Sequence, residues 1–144
     1  MLQTAGGNPS HHGYIIGSEA AVGSGVAATL AAQPFYGFGR IGGINRYDTS
    51  AKLADVAFDG MGMLWSRPGL ATGENFPDAL AGGAFVGNDC SVMLLTRKGS
   101  LPSEASALLQ KNKKMIYELR IFGDTNAIST TVHNQVRGAL GLPY

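Results

Sequence analysis

A single cysteine, Cys90, excludes a disulfide framework and any paired-cysteine metal knuckle. Charge is equally scarce. Only 15% of the residues are Asp, Glu, Lys or Arg, and the net charge is +1. That balance gives no electrostatic basis for holding nucleic acid, and no lysine cluster points to an anionic membrane surface. The apolar runs are all short, so no stretch is expected to span a bilayer. Met1–Ser10 has no basic segment followed by an apolar one, so no secretory leader is expected there. Residues 1–12 read instead as a linker or an added end. His11-His12 lacks a nearby third ligand and fits a linker or tag better than a metal pair. Cys90, before an apolar run, reads as a small buried hydrophobe.

Glycine, in contrast, is abundant, with 21 among 144 residues. The most informative stretch is Leu70-Ala71-Thr72-Gly73-Glu74-Asn75-Phe76-Pro77-Asp78-Ala79-Leu80. It reads as a buried strand, a tight turn and the start of a helix. Gly73 is a position where positive φ carries no Cβ penalty. Asn75 suits the N-cap, Pro77 suits the first turn, and Asp78 suits a capping-box-like role facing the helix dipole. The helix that follows runs through Ala79, Ala81, Gly82, Gly83 and Ala84, so it can lie very close to a sheet.

Along the rest of the chain, apolar bursts alternate with helical patterns. Tyr14-Ile15-Ile16 is a strand, and Ala20–Ala32 is a helix with Val22, Val26 and Leu30 at spacing four, stopped by Gln33-Pro34. Arg40-Ile41 is a short extended stretch. Asp48 caps a helix from Thr49 to Phe58 that buries Leu53, Val56 and Ala57. Gly69–Thr72 and Ser91–Thr96 are strands, the latter continuous enough to be covered on both faces. A helix opens at Leu101-Pro102-Ser103-Glu104. Ile116–Phe122 is a strand, and Ile128–Leu140 a helix with Val132, Val136 and Leu140 at spacing four. This alternation predicts an α/β fold: three layers, a mainly parallel sheet with flanking helices, Rossmann-like or flavodoxin-like.

The chain also repeats itself. Ile15-Ile16-Gly17-Ser18-Glu19-Ala20-Ala21-Val22 aligns without gaps to Ile121-Phe122-Gly123-Asp124-Thr125-Asn126-Ala127-Ile128, and the match runs on through Val26 over Val132 and Leu30 over Val136. Two βα units of one fold can look alike because the same physics shapes both. The other reading is that residues 13–34 are the tail of a preceding repeat and residues 35–144 one complete repeat, the two packing as one domain.

Four ordered segments carry a family resemblance. Arg40-Ile41-Gly42-Gly43-Ile44-Asn45-Arg46-Tyr47-Asp48-Thr49-Ser50 resembles the RIxGxxRYxTA signature of the cell wall binding repeat 2 family. Leu70–Leu80 is similar to its ATGENFPDAL core. Val92-Met93-Leu94-Leu95-Thr96 with Leu101-Pro102 resembles its PILLT…LP segment, and Ile121-Phe122-Gly123 through Ala127-Ile128-Ser129 its closing ILGGxxAVS. The departures are Ser18 and Asp124 at the second closing glycine, and Ser91-Val92 where a proline is usual.

The resemblance implies a non-catalytic module that anchors a bacterial surface protein to the cell wall from outside the cell. The partner it implies is an anionic, teichoic-acid-like wall polymer, with neighbouring repeats of the same chain packed about a pseudo-threefold axis. It implies no cofactor. An isolated repeat of this kind exposes its inter-repeat faces, so a homo-oligomer, a trimer by the same geometry, is expected.

Physical reasoning places ligands of a parallel sheet at the carboxyl ends of its strands. Arg97 and Lys98 directly follow such a strand and are the first candidates for an anionic polymer, with Arg40 and Arg46 next. Gly73, Asn75, Pro77, Asp78, Tyr47 and Thr49 are structural positions of the two strongest motifs. Within that set we expect an Arg46–Asp78 ion pair, with Tyr47 and Phe76 in the core.

Two other patterns are present. Gly37-Phe38-Gly39-Arg40-Ile41-Gly42 fits GxGxxG but lacks a clear preceding strand. Glu74 and Asp78 are a conceivable acid/base pair, but no nucleophile, histidine or metal set accompanies them. The alternative function class is therefore an α/β nucleotide- or sugar-binding enzyme domain.

Overall fold

The computed structural model describes residues 12–32 and 37–143; the expected linker over residues 1–12 lies outside them except for His12, which begins the first strand rather than ending a linker, and the Gln33-Pro34 helix stop also lies outside them. The described residues alternate strand and helix throughout: β1 His12–Ile16, α1 Ser24–Ala31, β2 Gly37–Ile41, α2 Arg46–Gly60, β3 Leu64–Thr72, α3 Phe76–Asn88, β4 Ser91–Thr96, α4 Ser103–Asn112, β5 Arg120–Phe122 and α5 Thr130–Leu140. Every strand pair is parallel. β1 pairs with β2, and a second sheet has the order β4-β3-β5.

The central sheet is apolar on both faces, and register assigns each face. Leu70, Leu94 and Ile121 align across the three strands, as do Ala71, Leu95 and Phe122 one residue on. Side chains alternate along a strand, so the two rows point to opposite sides. The first row joins the main core with Trp65, Leu109, Ile128, Val132 and Val136. Burying each such side chain contributes about 1.5–3 kcal/mol. The second row faces α3. Helix α3 lies on one side, α4 and α5 on the other, which gives the expected three layers.

Helix α3 approaches the sheet through Gly82 and Val86, its buried residues. A Cβ on Gly82 would lie 2.7 Å from the Phe122 ring and 2.9 Å from Met93 Cε. The close-fitting helix is therefore present, but its small residues divide between two faces. Ala81 and Ala84 are exposed, and so are Phe76 (78%), Leu80 (71%) and Phe85 (57%). Phe76 is a surface residue, not a core one.

Several boundaries differ from the sequence expectation, each for a local reason. Helix α2 begins at Arg46, and its cap is Asn45 rather than Asp48. Asn45 Oδ1 accepts from the N–H groups of Tyr47 and Asp48, both at 2.9 Å, the arrangement a good N-cap makes. Asp48 in the first turn instead accepts from the Ile44 N–H at 3.0 Å. Helix α2 buries Ala51, Ala54 and Ala57, while Val56 is exposed. Helix α1 begins at Ser24, because the Ala21 and Val22 N–H groups both donate to the Ser18 carbonyl in a turn first.

Strand β3 reaches back to Leu64, and its pairing with β4 shifts register between Leu64 and Gly69. Pro68 sits in that gap and has no N–H to donate. The GxGxxG stretch lies on β2 and the turn after it. A phosphate-binding glycine loop follows a strand and opens a helix, so the dinucleotide reading has no structural support here. Cys90 is exposed and adopts φ 50° in the turn before β4, not a buried position.

Candidate functional site

At the carboxyl ends of β3, β4 and β5, three turns interlock. The Gly73 N–H donates to the Thr96 carbonyl at 2.8 Å, and the Ser129 N–H to the Lys98 carbonyl at 2.9 Å. Glu74 Oε1 accepts from the Lys98 N–H at 2.9 Å. Thr96, fully buried, turns its hydroxyl onto the carbonyls of Arg97 and Ser100. The loop after β4 is thus held from both sides while the side chains of Arg97 and Lys98 stay exposed.

The amino end of α2 supplies the rest. Arg46 Nη1 donates to the Gly73 carbonyl. The Arg97 guanidinium lies 4.6 Å from the centroid of the Tyr47 ring, a cation–π contact worth about 0.5–1 kcal/mol at an exposed position. Tyr47 is half-buried, so it acts as a platform for Arg97 as well as a packing residue. Thr49 Oγ1 accepts from the Gly43 N–H and donates to the Asn45 carbonyl, both at 2.9 Å. It fastens the turn before α2 to the helix.

Gly73 is required for a different reason from the one its sequence context suggests. Its φ is not in the left-handed region. A Cβ there would instead lie 2.8 Å from Tyr47 Cε1 and 3.1 Å from Arg46 Cδ. The two signature segments touch at this point, and only a hydrogen fits between them.

The expected Arg46–Asp78 ion pair is not formed. Arg46 is directed to the Gly73 carbonyl, and among the described residues the ion pairs of the chain leave out both Arg46 and Asp78. Asp78 packs beside Gly123, where a Cβ would lie 2.9 Å from its Oδ2. Asn75 and Pro77 are exposed at the start of α3, and the Asn75 side chain makes no cap hydrogen bond. The capping-box role is therefore absent.

Arg40 stands apart from the other cations. Its Nη1 donates to the carbonyls of Gly17 and Val22 at 2.8 and 2.9 Å, and its Nη2 is buried. It clamps the turn after β1 onto β2 and does not join Arg46, Arg97 and Lys98. Between that turn and α2 lies an open cleft of about 540 Å³, lined by Ile16, Leu53, Met93 and Leu95 with Ser18, Asn45, Arg46 and Thr49.

Two carboxylates near this end are held below the ordinary aspartate pKa. For Asp124 the largest cause is the hydrogen bond from the Asn126 side chain, followed by the N–H groups of Ala127 and Asn126. For Asp48 it is the Ile44 N–H, followed by Lys52. Both stay ionised at neutral pH, so these turns carry negative charge close to the cations. The arrangement offers exposed, positioned positive charge, and among the described residues no group of three or more His, Cys, Asp or Glu side chains could hold a metal ion. Sequence reasoning picked out Arg97 and Lys98 but missed Tyr47 and Glu74 as the groups that position them. The signal lay in the two motifs themselves, since residues so strongly patterned in both segments are those that meet across the turn.

A family model described as cell wall binding domain 2 (CWB2) matches residues 40–133. The chain is similar to the N-acetylmuramoyl-L-alanine amidase LytC of Bacillus subtilis (strain 168), 28% identical over 98 residues that are 68% of this chain and 18% of LytC. Among solved structures, Cwp8 from Clostridium difficile matches with TM-score 0.73 and 23% identity, over 91% of this chain and 20% of that one. Cwp6 from Clostridium difficile matches with TM-score 0.75 and 23% identity, over 89% of this chain and 20% of that one. These two likenesses show the fold. The chain spans about a fifth of the length of each of these relatives.

Proposed function

The chain belongs to the cell wall binding domain 2 family, and from that premise we propose that it anchors its protein to the wall by gripping an anionic polymer, without catalysis. It is a cell-wall-associated module of the cell surface. No described helix is long and apolar enough to cross a membrane.

The observation that carries the polymer reading is the loop after β4. Arg97 and Lys98 are exposed, yet the backbone beneath them is fixed by Glu74, Thr96 and Ser129, and Arg97 rests on Tyr47. A cation held in place loses less side-chain entropy on binding than a free one. A polyanion presents repeated charges to such a surface, and the attraction is screened by salt. Arg46 adds charge beside them but also holds Gly73, so its loss would mix structural and binding effects. Arg40 is left out because its guanidinium is already engaged.

Purified sacculi provide the test. The Arg97→Ala/Lys98→Ala double variant is expected to lose at least tenfold in retention, about 1.4 kcal/mol or more, while the melting temperature falls by no more than about 2–4 °C from loss of the contact with Tyr47. Stripping the anionic polymer from the sacculi should have the same effect on the natural chain. Retention unaffected by either change would sink the proposal, and release of wall fragments by the purified chain would sink its non-catalytic part.

The same reading gives the chain neighbouring repeats. In support, α3 turns Phe76, Leu80 and Phe85 outward with Asp78 as its only charged residue. An apolar face of that kind favours association. The isolated chain is expected to self-associate, as a trimer if it follows the pseudo-threefold packing, and light scattering across a concentration series would show a rising mass. A constant mass of 15.0 kDa would contradict it.

A further inference from the structure

The two βα units that match in sequence also match in hydrogen bonding. The Ala21 and Val22 N–H groups donate to the Ser18 carbonyl at 3.0 and 2.9 Å, and those of Ala127 and Ile128 donate to the Asp124 carbonyl at the same two distances. The Val26 N–H donates to Gly23, and the Val132 N–H to Ser129. Gly17 and Gly123 share a left-handed φ, +128° and +119°. The turn after β1 and the turn after β5 are one structure built twice.

They differ in what lies beside them. β1 carries β2 along one edge in parallel, from His12 opposite Gly37 to Ile16 opposite Ile41. The Gly17 N–H extends that ladder, donating to the Ile41 carbonyl at 2.8 Å. Arg40 closes it by donating to the carbonyls of Gly17 and Val22. Gly42 then lies directly on the turn, where a Cβ would meet Ser18 N at 2.7 Å and the Gly17 carbonyl carbon at 2.8 Å. Among the described residues β5 has only β3 as a strand neighbour, so its other edge is unpaired by them. An unpaired edge presents a row of donors and acceptors to any strand of matching register.

We propose that the free edge of β5 is a docking site for a strand of the β2 type, Arg-Ile-Gly-Gly, added in parallel from an adjoining repeat. The Gly123 N–H donates to the carbonyl of the incoming isoleucine. The incoming arginine donates to the carbonyls of Gly123 and Ile128, the counterparts of Gly17 and Val22. The glycine after the isoleucine lies on the Gly123–Asp124 backbone. β1 and β2 of this chain are the same junction seen from its other side. Repeats therefore join by continuing one another's sheet through a shared strand pairing, with the arginine as the lock. This rests on reading the chain as one unit of a repeat series. It is independent of the wall-polymer assignment, because retention on sacculi does not enter its test.

The test appends a second copy of residues 35–60 after Tyr144 of the full chain and follows amide hydrogen exchange by NMR. Tethering gives the appended strand a millimolar effective concentration. Gly123 amide exchange is expected to slow at least tenfold relative to the unextended chain. Replacing the arginine of the appended copy (Arg40→Ala) should reverse most of that slowing, while the β1–β2 pair of the host stays protected. Gly123 exchanging at the unextended rate, or equal slowing with a scrambled appended segment, would overturn the proposal. In the unextended chain, protection of Gly123 that grows with concentration would support it, with a second copy supplying the strand.

Discussion

Gly82→Val is expected to destabilise the chain by about 3 kcal/mol, the upper end of what overpacking a close contact costs. The new side chain would project between α3 and the sheet, where even a Cβ comes within 2.7 Å of the Phe122 ring and 2.9 Å of Met93 Cε. Met93 has a flexible end and can move. Phe122 cannot retreat as easily, since its ring meets Phe85 edge-on at 6.0 Å between centroids. Helix α3 must therefore lift from the sheet and expose part of Val86 and Ala71. The melting temperature should fall by on the order of 10 °C. The next residue supplies the contrast: a Cβ on Gly83 meets nothing within 4 Å. Gly83→Ala should stabilise by about 0.5–1 kcal/mol through helix propensity alone. Urea unfolding of both variants checks the pair, and a similar midpoint for the two would refute the close-packing account.

Gly43→Ala should cost about 3 kcal/mol, from steric overlap plus two weakened hydrogen bonds. A Cβ there would lie 2.5 Å from Asp48 Oδ2 and 2.6 Å from Thr49 N. Unlike a flexible side-chain end, the Thr49 backbone is part of α2 and cannot step aside. The turn and the helix must separate, which strains the Gly43 N–H bond to Thr49 Oγ1 and the Ile44 N–H bond to Asp48 Oδ2. The amino end of α2 carries Arg46 and Tyr47, so their contacts with Gly73 and Arg97 should loosen as well. We expect a lower urea midpoint together with weaker retention on sacculi at temperatures where the variant is still folded. Full retention with an unchanged midpoint would show that this turn does not organise the site.

Some of this was written in local pattern. The strand–turn–helix unit around Thr72–Phe76 could be read because a buried apolar run, a glycine turn and Pro77 each have a short-range preference that agrees with the fold. The same holds for Arg97 and Lys98, which follow a strand that the sequence marks clearly. Local pattern misled where a competing local partner existed. Asp48 looked like the cap of α2, but Asn45 three residues earlier takes that role and extends the helix. Asn75 looked like a cap and makes no cap bond. Arg46 and Asp78 looked like partners because they share the strongest motifs and carry opposite charge. Arg46 instead donates to a backbone carbonyl, that of Gly73.

The sequence by itself determined the α/β class, the parallel sheet and the family, because periodicity, turn residues and ordered motifs are local or additive properties of a chain. It did not determine which glycines are steric and which are conformational. Gly73 and Gly82 are small because another segment touches them; Gly17 and Gly123 are glycine because their φ is left-handed. Nor did it show that β1 and β2 form a sheet of their own while no described strand pairs with the matching edge of β5. Those facts depend on which distant segments come within a few ångströms, and chain spacing carries no record of that until the layers have closed.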